Sequence, residues 1–127
     1  MNGRIRPVIR LGLVLLAVLA TEKAQAQIDI ASIVGTVTDA LGAVLPGVSV
    51  TASQEGTGTV VTTTTNAKGQ YALNNLKIGS YTVTAEVHGF KRGVRQGIQL
   101  HVQERLQTDF SLSLGAITEE VVVSGRA

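Results

Sequence analysis

Apolar and polar residues alternate one by one through several short stretches of this chain. That period of two leaves little room for anything but β-strands. Ile33 and Val37 share a face, with Thr36 and Thr38 opposite; Val48, Val50 and Ala52 alternate with Ser49, Thr51 and Ser53. Tyr81, Val83, Ala85 and Val87 alternate with Thr82, Thr84, Glu86 and His88. Ile98, Leu100 and Val102 alternate with Gln99, His101 and Gln103, and Leu106, Phe110, Leu112 and Leu114 with Gln107, Asp109, Ser111 and Ser113. Successive strand side chains point to opposite faces, so each stretch buries one face and wets the other. Two weaker runs, residues 59–65 and 70–73, bring the expected total to seven strands. The Thr on the wet faces suits them, because its branched Cβ fits the pleat.

Turn chemistry separates the runs. Asp39-Ala40-Leu41-Gly42, Pro46-Gly47, residues 55–58, Asn66-Ala67-Lys68-Gly69, Ile78-Gly79 and Gly89 place Gly, Pro, Asn or Asp where the chain must reverse. No segment keeps a helical period. Short antiparallel strands with one apolar face close as two packed sheets. The expected fold is therefore all-β: a seven-stranded antiparallel β-sandwich with Greek-key connections. Hydrophobic residues at 44% and charged residues at 16% suit a packed core rather than a disordered chain.

The first 26 residues have a different logic. Arg4, Arg6 and Arg10 precede a ten-residue apolar run, Leu11 to Ala20, and a polar stretch ending in Ala24-Gln25-Ala26. This is the layout of a secretory signal peptide with an A-x-A cleavage site. A spanning helix needs roughly 20 apolar residues, twice this run. Cleavage is expected after Ala26, with Ala24 and Ala26 as the recognised small residues, leaving a chain that starts at Gln27 and has no helical membrane span. Residues 1–26 carry four basic residues against one acidic; the rest carries seven basic against eight acidic. The net charge of +2 thus sits in the leader. The body lacks the basic patch that grips phosphates, which argues against nucleic acid as a partner.

Catalysis finds little footing. With no Cys, disulfides, Cys-based zinc sites and a cysteine nucleophile are excluded. His101-Val-Gln-Glu104 matches H-x-x-E, but no His follows it, and in a strand positions i and i+3 point to opposite faces. A three-ligand zinc site is not expected from this pair. No G-x-S-x-G elbow is present. Asp39 is expected to cap its own turn, and His88 to lie on a wet face. No catalytic residue, metal or cofactor is expected.

A family resemblance rests on ordered motifs: Gly35-Thr-Val-Thr-Asp39-Ala-Leu-Gly42, Leu45-Pro-Gly-Val-Ser-Val50, Thr65-Asn-Ala-Lys-Gly-Gln-Tyr71, Leu76-Lys-Ile-Gly-Ser-Tyr-Thr-Val83 and Gly89-Phe90. With these, the chain resembles a carboxypeptidase regulatory-like domain, a transthyretin-like sandwich. Gly42, Gly47 and Gly69 read as turn glycines, and Tyr71, Tyr81 and Phe90 as core aromatics. Leader, sandwich and a Val-rich tail, in that order, resemble the N-terminus of TonB-dependent outer-membrane receptors. There the sandwich precedes a TonB box, a plug and a barrel.

The resemblance implies three regions: a signal peptide (1–26), the sandwich (27–115) and an extended tail (116–127). Within the tail, Glu120, Val121, Val122, Val123 and Ser124 are similar to a TonB box, which pairs by main-chain hydrogen bonds with periplasmic TonB. The same five residues also read as one more strand of the sandwich or a frayed end. The resemblance further implies a periplasmic, outer-membrane-associated location in a Gram-negative bacterium. The chain would then be a fragment or truncated form of a receptor, without plug and barrel, or a free-standing exported domain. Two alternatives stand beside this. One is a carbohydrate-binding module of the starch-binding-like fold, with a glycan as partner, although all four aromatics fall on expected inner faces or at the Gly89-Phe90 corner. The other is an exported adhesive or structural module that pairs through its edge strands.

Overall fold

The computed structural model describes residues 29–116 and 118–124. The signal-peptide reading and its Ala24 and Ala26 lie outside the described residues. Among the described residues nine strands follow in order: β1 (Ile30–Asp39), β2 (Ser49–Gln54), β3 (Val60–Thr64), β4 (Gln70–Lys77), β5 (Gly79–Glu86), β6 (Arg92–Leu100), β7 (Arg105–Gln107), β8 (Phe110–Leu112) and β9 (Glu120–Ser124). They form two sheets. One is β4-β1-β7, with β8 also on β1; the other is β3-β2-β5-β6-β9.

The fold is the expected all-β sandwich, with two differences. The strand count exceeds seven, because the last alternating run divides into β7 and β8 and the Val-rich tail adds β9. Nor is every pairing antiparallel: β1 runs parallel to β7 and β8, and β6 runs parallel to β9. The division occurs because β1 receives β7 at Ser32–Val34 and β8 further along at Val37–Asp39. Between them Thr108 turns inward and its N–H donates to Val34 O at 2.7 Å.

The core is the alternation read off the sequence, folded onto itself. Ile33, Val37, Leu73, Leu76, Phe110 and Leu112 of one sheet pack against Val50, Ala52, Tyr81, Val83, Ala85 and Ile98 of the other. Each Val, Leu, Ile or Phe among them contributes roughly 1.5–3 kcal/mol on removal from water, before entropic costs, and the alanines less.

Two bulges explain where the period of two fails. In β4, Ala31 pairs with Leu76 and Ile33 with Leu73, so one residue of β1 faces two of β4. Asn75 takes φ 58° there. Leu73 and Leu76, three apart, thereby both face inward, and β4 outruns the expected 70–73. In β6 the Tyr81↔Ile98 and Val83↔Arg95 pairs enclose one residue of β5 and two of β6, with Gly97 at φ 70°. The inward parity flips across Gly97, so the 98–102 pattern does not predict residues 92–96. At the other end of that run, Val102 and Gln103 leave the sheet: Gln103 has φ 57° and its N–H bonds Ile30 O.

The loops behave as their chemistry dictates. Gly42, Gly47 and Gly69 take φ 90°, 74° and 73°. Asp39 Oδ1 accepts from Leu41 N at 2.9 Å and Ala43 N at 3.0 Å, closing the expected Asx turn. Thr65, buried, accepts from Val48 N–H through Oγ1 and donates to Leu45 O, tying the Pro46-Gly47 turn to the end of β3.

Tyr71 gives the fold a pH signature. Its hydroxyl donates to Thr108 O. Burial pushes the phenol well above its ordinary range, Asp109 adds to the rise and Arg95 opposes it. A phenol whose folded pKa is raised stabilises the fold fully below its unfolded value, about 10, and loses that contribution as pH climbs above it. Urea unfolding of the wild type should therefore weaken steeply between about pH 10 and 11.5, and the Tyr71→Phe variant should weaken less. Parallel declines of the two proteins would refute this assignment. The Tyr81 phenol is also raised by burial, so part of the alkaline loss survives in the variant.

Candidate functional site

The tail residues singled out in the sequence form one element. Glu120, Val121, Val122, Val123 and Ser124 are β9, the outermost strand of the larger sheet, in register with Arg92, Gly93, Val94, Arg95 and Gln96 of β6. Valine's branched Cβ favours this extended backbone. A short turn, Glu119 N–H to Ala116 O at 2.9 Å, leads the chain into it. Ion pairs hold its start: Arg92 lies 3.6 Å from Glu120 and 3.0 Å from Glu86, and Lys91 lies 3.7 Å from Glu119. These pairs are solvent-accessible, and each contributes at most about 1 kcal/mol.

The ladder fixes which backbone groups of β9 are used. Arg92 N–H donates to Glu119 O at 2.8 Å, and Arg92 pairs with Glu120. In a parallel ladder this pattern turns the N–H and C=O of Val121 and Val123 toward β6 and those of Glu120, Val122 and Ser124 away. Among the described residues no strand pairs with that outer side. The valines stay wet as well: Val121, Val122 and Val123 are 49, 46 and 43% exposed. β9 is thus an ordered strand with one edge seated and the other open.

Other candidates resolve differently. His101 and Glu104 do meet, against the strand-based expectation, with Nδ1 and Oε1 3.1 Å apart. The reason is that β6 ends at Leu100 and the pair sits across a turn, where i and i+3 come together. Glu104 Oε1 also accepts from His101 N–H, so the carboxylate closes the turn. Among the described residues no group of three His, Cys, Asp or Glu could hold a metal ion. His88 is exposed, as expected. Tyr71, Tyr81 and Phe110 are core residues and Phe90 packs partly buried against them, so none of the four rings forms an exposed stacking platform for a sugar.

Two surface features had no signal in the sequence. Arg95, brought to the inner side by the β6 bulge, lies 5.6 Å over the Phe110 ring and donates through Nη2 to Asp109 O at 2.7 Å. An open groove of about 540 Å³ runs beside β1 and β4, lined among others by Thr36, Thr63, Asn66, Gln70, Arg105 and Gln107. Thr36 and Gln70 are cross-strand partners, and the fold brings to them Thr63 of β3, Asn66 of the β3–β4 loop, and Arg105 and Gln107 of β7.

Comparison with known proteins places the sandwich. No curated protein sequence matches the chain. Among solved structures, the Bacillus anthracis TIE protein shares the fold at 24% identity and TM-score 0.57, over 68% of this chain and 17% of that one. Catechol 1,2-dioxygenase of Acinetobacter radioresistens matches at 12% identity and TM-score 0.57, over 77% and 55% of the two chains. The dioxygenase domain of a dioxygenase carbohydrate-binding protein fusion from Streptomyces sp. SirexAA-E matches at 15% identity and TM-score 0.51, over 75% and 86%. The chain therefore spans only a small part of the first of these proteins and about half of the second. At such identities the likeness is one of fold. The family model of the carboxypeptidase regulatory-like domain aligns with residues 32–113, from β1 to just past β8. Motif order, two-sheet architecture and that alignment agree: the chain belongs to the carboxypeptidase regulatory-like domain family.

Proposed function

We propose that this sandwich is a non-catalytic extension domain of a TonB-dependent outer-membrane receptor, exported to the periplasm, and that β9 is the strand it offers to periplasmic TonB. The observation that carries the reading is the state of residues 120–124. They are extended, ordered and open along one edge, with three half-exposed valines. Strand addition works through main-chain hydrogen bonds, so it needs an available edge more than a particular sequence. A strand already held extended loses less entropy on docking than a free tail does. The leader sequence supports export.

Calorimetric titration with the isolated periplasmic domain of TonB tests this. We expect binding that falls by at least about tenfold when Val122 is replaced by proline, which removes the outward N–H. Absence of binding, or binding indifferent to residues 121–123, would sink the proposal.

A further inference from the structure

We propose that the open edge of β9 is also a self-association surface, on which two copies pair antiparallel about a two-fold axis at Val122 and join their larger sheets into one. The inference needs only the geometry of β9 and stands whether or not TonB is a partner.

The backbone polarity of the strand carries the argument. Arg92 N–H bonds Glu119 O and Arg92 pairs with Glu120, so Glu120, Val122 and Ser124 present outward-facing N–H and C=O groups. In an antiparallel pair the two-fold axis passes through either a hydrogen-bonded or a non-hydrogen-bonded position, and a residue whose N–H and C=O both face the partner makes the axis a hydrogen-bonded one. Val122, the middle residue of β9, is such a residue, and an axis there is the one that pairs all five residues of the strand with those of its copy. With Val122 opposite the partner's Val122, Glu120 falls opposite the partner's Ser124. Both ends of the strand are then hydrogen-bonded pairs as well, giving roughly six main-chain bonds across the axis.

Side chains agree with this register. Val121 falls opposite the partner's Val123, so apolar groups that are 43–49% exposed in one copy cover each other in two. Pairs of β-branched residues directly opposite are favourable, and like charges directly opposite are not. Antiparallel pairing puts each Glu120 beside a Ser. Parallel pairing would set Glu120 against Glu120. The charge of Glu120 is in any case met within its own copy by Arg92, at 3.6 Å. Glu120 is the one charged side chain on the edge; residues 120–124 contain no Lys, Pro or Gly, and no bulge interrupts their register. An isologous contact of this kind closes at two copies rather than growing into a fibre.

A five-residue edge is small compared with the ~1,600 Å² of a standard interface, so the dimer should be weak, with a dissociation constant of roughly 10–1000 µM. Sedimentation equilibrium of the full chain from about 10 µM to about 1 mM reads this directly. The same chain begun at Gln27 separates β9 pairing from association through the apolar run at 11–20. We expect the mass to rise from monomer toward dimer in both. Val122→Pro removes the outward donor while the inward groups of Val121 and Val123 remain. Val122→Lys keeps the whole ladder but opposes two cations on the axis. Each should shift the midpoint by at least about tenfold, with unchanged circular dichroism. A strict monomer up to about 1 mM, or association that neither substitution weakens, overturns the proposal.

Discussion

Gly35→Ala is expected to be the most damaging single-methyl change in this protein. Gly35 is buried in β1, beside the point where the β7–β8 connection crosses it. An added Cβ would fall inside contact distance of the Thr108 carbonyl oxygen, 2.7 Å from its carbon and 2.9 Å from Tyr71 Cε1. None of these neighbours can step aside. The Thr108 N–H is committed to Val34 O, its carbonyl accepts the Tyr71 hydroxyl, and the Tyr71 ring is 5% exposed. Overpacking typically costs about 1–3 kcal/mol, and more where backbone must move. We expect a loss of at least about 3 kcal/mol from a total of about 5–15. For a domain of this size that is a fall in Tm of roughly 10–20 °C, read by thermal circular dichroism. A Tm within about 3 °C of wild type would mean that the β7–β8 connection does not seat on Gly35.

Tyr81→Ala should come next. The ring is 2% exposed, opposite Ile98 on one side and Gln54 on the other, and its hydroxyl donates to Lys77 O at 2.7 Å. Truncating a buried aromatic to alanine costs about 3–5 kcal/mol, from lost transfer energy plus the cavity left behind. Tyr81→Phe keeps the ring and gives up only the hydrogen bond, a loss of about 1 kcal/mol. The urea midpoints should therefore rank wild type, Phe, Ala, with the larger gap at the second step. Equal losses for Phe and Ala would place the stabilisation in the hydroxyl rather than the packing. By contrast Val121→Ala, on the open edge, should change stability by less than about 0.5 kcal/mol, so binding and folding can be probed apart.

Strand alternation made most of the core readable in advance. Ile33, Val37, Val50, Tyr81, Val83, Ile98, Phe110 and Leu112 are buried on the faces where the period of two puts them. Turn glycines and the Asp39 Asx turn were equally legible, because their causes are local: a positive φ, or a carboxylate reaching N–H groups two and four residues ahead. Legibility ended where a bulge changed parity. Leu76 and the stretch before Gly97 broke the pattern because one strand fits two residues against one of its neighbour. Leu114 shows the opposite failure: it keeps the alternation but lies beyond β8 and is 76% exposed.

The His101–Glu104 contact was misjudged for a similar reason. Which side of a strand a residue takes depends on where the strand ends, and Leu100 is the last residue that β5 pairs. The tail was legible as an extended segment, since three valines favour that backbone whatever they touch. Its seat was not, because the parallel partner Arg92–Gln96 lies in the stretch that the bulge hid.

The sequence by itself determined the two-faced strands, the turns between them and therefore a sandwich, because each follows from the stereochemistry of neighbouring residues. Only the tertiary structure decided that Gly35 must stay bare, that Arg95 covers Phe110, and that one edge of the tail is occupied while the other stands open. Those facts belong to pairs of segments up to about 70 residues apart, whose meeting depends on how two sheets stack and in which register their strands align.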